Sequence, residues 1–471
     1  MSRLSRRSFL AGSGAALAAP ALRASAQAAD VDVAVVGAGA AGVAAARRAL
    51  AAKARVAVFE AGNRIGGRCV TDSAQLGVPF DLGAHWVHYP DGNPLVAQAA
   101  GLDVYSAPRG QTIRVGPRNA RDAELESYFA ASLRAHRAID EAAHGKADVA
   151  AAQALPADLG AWQSTIAFTL GPFFCGQDLD RVSVQDLGHA GDRERSAFCR
   201  QGYGALLAKL AAGLPVRLSS PVTRVDWYRD RVEIATARGR LIARTAIVTA
   251  STNVIAADKI EFEPDLPRDM LAAAHNLALG SFDHIGLLLP GNPFDLQRDD
   301  LVFEQSAGAR TAALLGRVSG TDLHVVEVAG SFGRELSAKG EAAMLDFARE
   351  WLTALFGTSV KSLIARAHAT RWNEEPYVLG AMSAASPGHA EARSALVEPV
   401  GGRLWFAGEA LHASKWGTVA GAWESGERAA DAALRRMGLL KEPEEDKPAR
   451  RSRRDEDARS RRKRHRRGED D

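Results

Sequence analysis

VDVAVVGAGAAGVAAARRALAAKARVAVFE, residues 31–60, reads as a strand, a glycine turn, a helix and a second strand that ends in an acid. The apolar run Val31 to Val36 is a strand, and Gly37 permits the tight turn that follows it. Gly39 lets backbone approach a pyrophosphate with no side chain in the way, and Gly42 lets the helix pack close to the strand. The helix begins near Ala40 and Ala41, so its unpaired N–H groups and positive dipole end face the phosphates. Glu60 closes the second strand, Arg55 to Phe59, about twenty residues on, where a carboxylate accepts hydrogen bonds from adenosine ribose hydroxyls. These residues predict a dinucleotide site.

Further motifs move the reading from nicotinamide to flavin. Ile65-Gly66-Gly67-Arg68 follows the acid, and Asp81-Leu82-Gly83-Ala84-His85-Trp86-Val87-His88 comes shortly after. The last third supplies Leu404-Trp405-Phe406-Ala407-Gly408-Glu409 and a run from Gly417-Thr418-Val419 to Arg428-Ala429-Ala430. Together these closely resemble the FAD-dependent amine oxidase family, which holds monoamine oxidases, polyamine oxidases and lysine-specific histone demethylases. The resemblance runs from about Val31 to Ala433 and is weak from about Ala107 to Gln201. It implies an α/β fold, with a Rossmann-type FAD-binding domain interleaved with an α+β substrate domain.

The resemblance also implies roles for individual residues. Arg68 offsets pyrophosphate charge, although an ion pair explains it equally. Gly83, Ala84 and His85 run beside the flavin ring, and Val222, in a strand from Val222 to Trp227, places backbone on the adenine or serves only as core. Gly408 and Glu409 lie near the ribityl chain and phosphates. Thr418 and Val419 open the last helix toward the edge of the flavin where negative charge develops. Ala381 stands where monoamine oxidases carry the tethering cysteine, so FAD is expected to be non-covalent. Met382 and Thr418 fill the places of the family's two aromatic cage residues, with Trp416 a possible substitute. His88 matches a histidine at the polyamine oxidase substrate channel, or is a satisfied structural group. His284, in Leu279-Gly280-Ser281-Phe282-Asp283-His284, takes the place of the family lysine beside the flavin. An imidazole there, with an ordinary pKa of about 6.5, predicts a pH-dependent reaction with oxygen or the use of another electron acceptor. No residues are read as metal ligands.

Composition suits a globular enzyme: 471 residues, 46% hydrophobic, are enough for two domains. The net charge of +3 comes from the ends. Residues 1–26 hold four arginines and no acids, and residues 441–471 hold thirteen basic against ten acidic side chains, which leaves a body of net −4. Nothing in that body argues for nucleic acid. Ser5-Arg6-Arg7-Ser8-Phe9-Leu10, an apolar run to Leu22 and Ala24-Ser25-Ala26 read as a twin-arginine signal peptide over residues 1–26. They predict export of a folded protein by the twin-arginine machinery to the periplasm, with no integral membrane segment in the mature chain. The three cysteines make no disulfide framework. Residues 441–471 lack apolar periodicity and read as a disordered tail.

The expected organisation is a discontinuous FAD domain over 27–90, 202–260 and 385–440, with a substrate domain over 91–201 and 261–384. Helices are expected over 123–154, 202–215 and 341–356, the last with one apolar face. The activity implied is oxidation of an amine, with polyamines or another secondary amine favoured. A hydride passes to flavin N5, the imine hydrolyses to an aldehyde, and oxygen reoxidises the flavin to give hydrogen peroxide. Two alternatives stay open: a flavin enzyme acting on carbon–carbon bonds, and a flavin-loaded accessory protein without turnover.

Overall fold

A computed structural model describes residues 29–441 except 109, 194, 358 and 359. The export signal expected at 1–26 and the tail beyond Lys441 lie outside the described residues. Two large sheets organise the chain. In the first, Val31–Val36 lies parallel to Val56–Phe59 on one side and to Gly239–Val248 on the other, with Val33 opposite both Val56 and Thr245. Strands buried on both faces read as continuous valine and alanine runs, and Val33 to Val36 are all buried. The long strand Gly239–Val248 pairs with Val232–Thr236 at its start and with Leu404–Phe406 at its end, so three distant stretches of chain share one sheet. Strand Glu261–Glu263 also joins this sheet, parallel to Val222–Trp227, and so lies just beyond the expected boundary at 260.

Helix Ala40–Ala51 covers the sheet with alanines, which lets the last helix, Val419–Arg436, approach closely. A methyl group on Gly426 would stand 2.1 Å from the Ala41 carbonyl oxygen, so glycine is required at that crossing.

The second sheet has seven strands in the order Arg366–Ala369, Phe282–Leu288, Leu323–Ala329, Ala313–Gly316, Asp300–Glu304, Thr112–Val115 and Arg118–Asn119. Side chains alternate across it. Ile285, Leu287, Val326 and Val328 form one face, buried against Met344, Phe347, Trp351 and Leu355 of helix Glu341–Phe356. His284 and Glu327 are directly opposite one another on the other face, which is turned toward the first domain.

Two expected helices are shorter in the structure. The one read over 123–154 runs from Asp122 to Ala143, and residues 144–150 are not helical before a short turn at Ala151–Ala154. Asp148 explains the break, because its carboxylate accepts hydrogen bonds from Ser183 Oγ at 2.6 Å and Ala390 N at 3.2 Å. The helix read over 202–215 is Tyr203–Leu210, and the chain turns out at Gly213 with φ +80°. No helix among the described residues is long and apolar enough to cross a membrane.

Candidate active site

The glycine turn is built by crowding. Gly37 has φ +103°, and a methyl group there would meet Thr249 Oγ1 at 2.4 Å; one on Gly42 would meet the Gly37 carbonyl oxygen at 2.0 Å. Gly39 is different, since its nearest neighbours lie 3.9 Å or more from such a methyl group, which leaves its face open. Glu60 fastens the turn: its carboxylate accepts from Ala38 N at 2.7 Å and Gly62 N at 2.8 Å. Four lone-pair sites on a carboxylate leave capacity for ribose hydroxyls after these two bonds.

From here a cavity of about 1500 Å³ runs between the domains. Every site residue expected from the sequence lines it except Gly42 and Trp416. Gly42 acts one layer back, through the Gly37 carbonyl. Trp416 is a correction to the expected substrate contact. It is fully buried with Cys175, Val182 and Ala384, between the guanidinium groups of Arg393 and Arg193, 4.5 and 5.3 Å from its ring.

At the adenine end, Val222 is buried and lines the cavity. The register between Val222–Trp227 and Val232–Thr236 slips at Thr223, which also lines the cavity. A bulge leaves its extra residue out of the ladder, so unpaired backbone lies where the adenine contact is expected. Midway, Arg68 donates to Glu409 Oε1 at 2.9 Å and to the Ala381 carbonyl. Burial raises the pKa of Glu409, but Arg68, Ser383, Arg393 and the Gly417 N–H together hold it below the ordinary value. Gly83 is small because the Arg68 carbonyl would lie 2.2 Å from an added methyl group. Thr418 caps the last helix, its hydroxyl accepting from Gly421 N at 3.0 Å, and so turns that helix N-terminus to the cavity.

The far end is aromatic. Phe173, Phe282 and Phe303 cluster on the wall, with Phe173 5.0 Å from Phe303 and 6.1 Å from Phe282 between ring centroids. Phe282 was legible, being two residues from His284 on one strand face; Phe173 and Phe303 had no local signal. Met382 also lines the cavity, beside Gly417. His88 does so while satisfied, its Nδ1 lying 2.9 Å from Ser196 Oγ. Ser196 Oγ donates to the Arg193 carbonyl, so His88 Nδ1 is the donor and Nε2 stays free. Burial and the nearby Arg193 keep this ring neutral, with its pKa well below the usual range.

Beside it stand His85 and His284, stacked at 4.6 Å between centroids and 20° between planes. His284 Nδ1 donates to the Asp81 carbonyl at 2.8 Å. Burial pushes both rings down to about 4, which corrects the expectation of an ordinary imidazole at 284. Behind them lies Glu327, fully buried, with Oε1 2.8 Å from His85 Nε2 and 3.9 Å from His284 Nε2. Its only sequence signal is an acid inside the apolar run Leu323–Ala329.

A glycine turn on a parallel sheet, an open path along its edge and a second domain over the far end define a two-domain flavoprotein. The chain belongs to the flavin containing amine oxidoreductase family, matched over residues 40–434. It is 27% identical over 417 residues to lysine-specific histone demethylase 1B of Mus musculus, covering 80% of this chain and 49% of that protein. It thus spans about half the length of that relative. Polyamine oxidase 4 of Oryza sativa subsp. japonica is 26% identical over 438 residues, covering 83% of this chain and 86% of its own. Among solved structures, cyclohexylamine oxidase from Brevibacterium oxydans IH-35A superposes with a TM-score of 0.74 at 21% identity, over 87% of this chain and 100% of that one. Putrescine oxidase bound to putrescine gives 0.72 at 18%, over 85% and 98%. These two likenesses establish the fold.

Proposed function

We propose that the protein is an FAD-dependent amine oxidase acting on a polyamine or another secondary amine. The observation that carries this reading is the single cavity joining the glycine turn and Glu60 to an aromatic end beside His85, His88 and His284. FAD, when bound, supplies a hydride acceptor for the carbon next to nitrogen and passes the electrons to oxygen or another acceptor. Glu60 and the open face of Gly39 would hold the ribose and pyrophosphate, the bulge at Val222 and Thr223 the adenine. The helix N-terminus capped by Thr418 would face the ring edge. Phe173, Phe282, Phe303 and Met382 exclude water from the reacting amine, which disfavours its ammonium form.

Non-covalent binding is supported by Ala381 at the tether position and by Cys69. That cysteine lines the cavity, but burial pushes its thiol far up, away from the nucleophilic thiolate. In the deciding experiment the purified protein is mixed anaerobically with spermine, putrescine and N-alkyl amines while the flavin absorbance is followed; air is then admitted. Bleaching on amine addition and peroxide in air are expected, as is yellow supernatant after acid precipitation. No bleaching with any amine would overturn the proposal.

Export by the twin-arginine route to the periplasm belongs to the same proposal and rests on Arg6, Arg7 and the segment through Ala26. Exchanging Arg6 and Arg7 together for lysines should leave the precursor in the cytoplasm; unchanged periplasmic yield would refute this route.

A further inference from the structure

His284 and Glu327 are cross-strand partners, directly opposite on adjacent antiparallel strands, a pairing that brings side chains together on one face. His85 arrives from a different segment and stacks on His284. Both rings line the cavity, and Glu327 sits behind them. Although Glu327 Oε1 lies 2.8 Å from His85 Nε2, the two are not aligned for a hydrogen bond, and among the described residues the Trp86 side chain alone offers the Glu327 carboxylate a hydrogen bond. A buried ring nitrogen and a buried carboxylate oxygen this close without a directed bond between them are costly unless something binds there.

The occupant is a cation, and the ring geometry chooses which. A metal held by both Nε2 atoms at about 2.0–2.1 Å must lie in the plane of each ring. Rings stacked within 20° have no such common point nearby. A proton needs no common point. Two stacked imidazoles also resist carrying two positive charges, so the cluster favours one proton over two.

We propose that His85, His284 and Glu327 act as a store for a single proton at the cavity wall, filled by the proton that an ammonium substrate must lose before it is oxidised. The proposal rests on the amine oxidase reading. In the transfer, an N–H bond of the ammonium breaks and its electron pair stays on nitrogen. The proton bonds to a ring nitrogen or carboxylate oxygen of the trio, and nothing is oxidised or reduced in this step. His284 Nδ1 already donates to Asp81, so its Nε2 is the basic atom of the neutral ring.

Glu327 is the resting place of that proton. Burial pushes its carboxyl up to about 7, partly offset by His284 and by the Trp86 side chain, whereas both histidines are pushed down to about 4. The other ionisable groups facing the trio are Asp81 and His88. The Asp81 carboxyl is engaged by Thr71 and by the Tyr203 and Gly204 N–H groups; His88 lies beyond His85, next to Arg193. Beside Glu327, the next strand contributes only Ala313.

The FAD-loaded protein, without substrate, is titrated from pH 5 to 9 by infrared difference spectroscopy, following the carboxylic C=O stretch of a buried protonated glutamate. A band that disappears with a midpoint near pH 7 and is missing in Glu327→Gln is expected. A second measurement is thermal. A carboxyl raised from 4.5 to about 7 favours the fold below its unfolded pKa, and that contribution is lost as pH rises through about 7. Relative to wild type, Glu327→Gln should therefore gain stability as pH rises from 4.5 to about 7 and melt higher at pH 8.5.

A band unchanged in Glu327→Gln would overturn the proposal, as would a wild type with no such band at pH 5.5. One equivalent of zinc or iron retained after dialysis against chelator, and lost in Glu327→Gln, would replace the proton with a metal. Since the titration uses no amine, its failure is separate from a failure of the amine screen. If amines do bleach the flavin, the wild-type bleaching rate should depend on pH with the same midpoint, and that dependence should vanish in Glu327→Gln.

Discussion

Replacing Gly42 by alanine is expected to lower FAD affinity by on the order of 100-fold, about 3 kcal/mol. The added methyl group would stand 2.0 Å from the Gly37 carbonyl oxygen and 3.0 Å from its carbon. Both are backbone atoms, and Thr249 Oγ1, which would lie 3.2 Å from the same methyl group and bonds the Gly37 carbonyl, closes the space beside them. The helix must therefore move off the strand, and the Ala38 N–H leaves the Glu60 carboxylate that fixes the turn. FAD retained per mole after gel filtration, with circular dichroism as the control for folding, measures the effect. Stoichiometric FAD in a folded Gly42→Ala protein would show that the crowded contact relaxes at no cost.

Arg393→Met is expected to destabilise the fold by about 3–5 kcal/mol, the usual result of removing one partner from a buried ion pair. Arg393 and Asp186 are both buried and meet in a two-pronged contact, Nε to Oδ1 and Nη2 to Oδ2, each at 2.7 Å. Methionine fills much of the volume beside Trp416 but leaves the Asp186 carboxylate with only the Ala385 N–H. The effect reaches the cavity, since Arg393 also donates to Ser383 Oγ, and that hydroxyl donates to Glu409 Oε2 at 2.7 Å. A fall in the guanidinium unfolding midpoint together with weaker FAD retention is expected. Adding Asp186→Asn should recover part of the stability, because the uncompensated charge is then gone. A single variant as stable as wild type would mean that Asp186 finds another cation or takes up a proton.

What was legible in the sequence was local. The turn at Gly37 and the cap at Thr418 are set by residues within one or two turns of chain, and the acid at Glu60 by a fixed spacing of about twenty residues, so spacing alone reveals them. Glu327 was not legible, because its meaning depends on which residue faces it across a strand pair. Only the register places His284 there. Trp416 misled for a related reason: its neighbour Gly417 lines the cavity, yet the indole is packed among buried side chains behind the wall. For His284 the position was read from its neighbours, while its acidity is a property of the enclosing fold. The helix expected over 123–154 failed because alanine content carries propensity but not the tertiary bonds of Asp148 that end it.

The close crossing at Gly426 sets a schedule for the ribosome. The helix that aims at the phosphates is made near the start of the chain, yet the helix packed against it and strand Leu404–Phe406 come near the end. Until they emerge, the alanine face of residues 40–51 has no final cover and the sheet lacks one of its strands. Cofactor capture therefore waits for residues 404–436, and a nascent chain stalled before residue 404 carries a dinucleotide motif with no finished domain to hold its ligand.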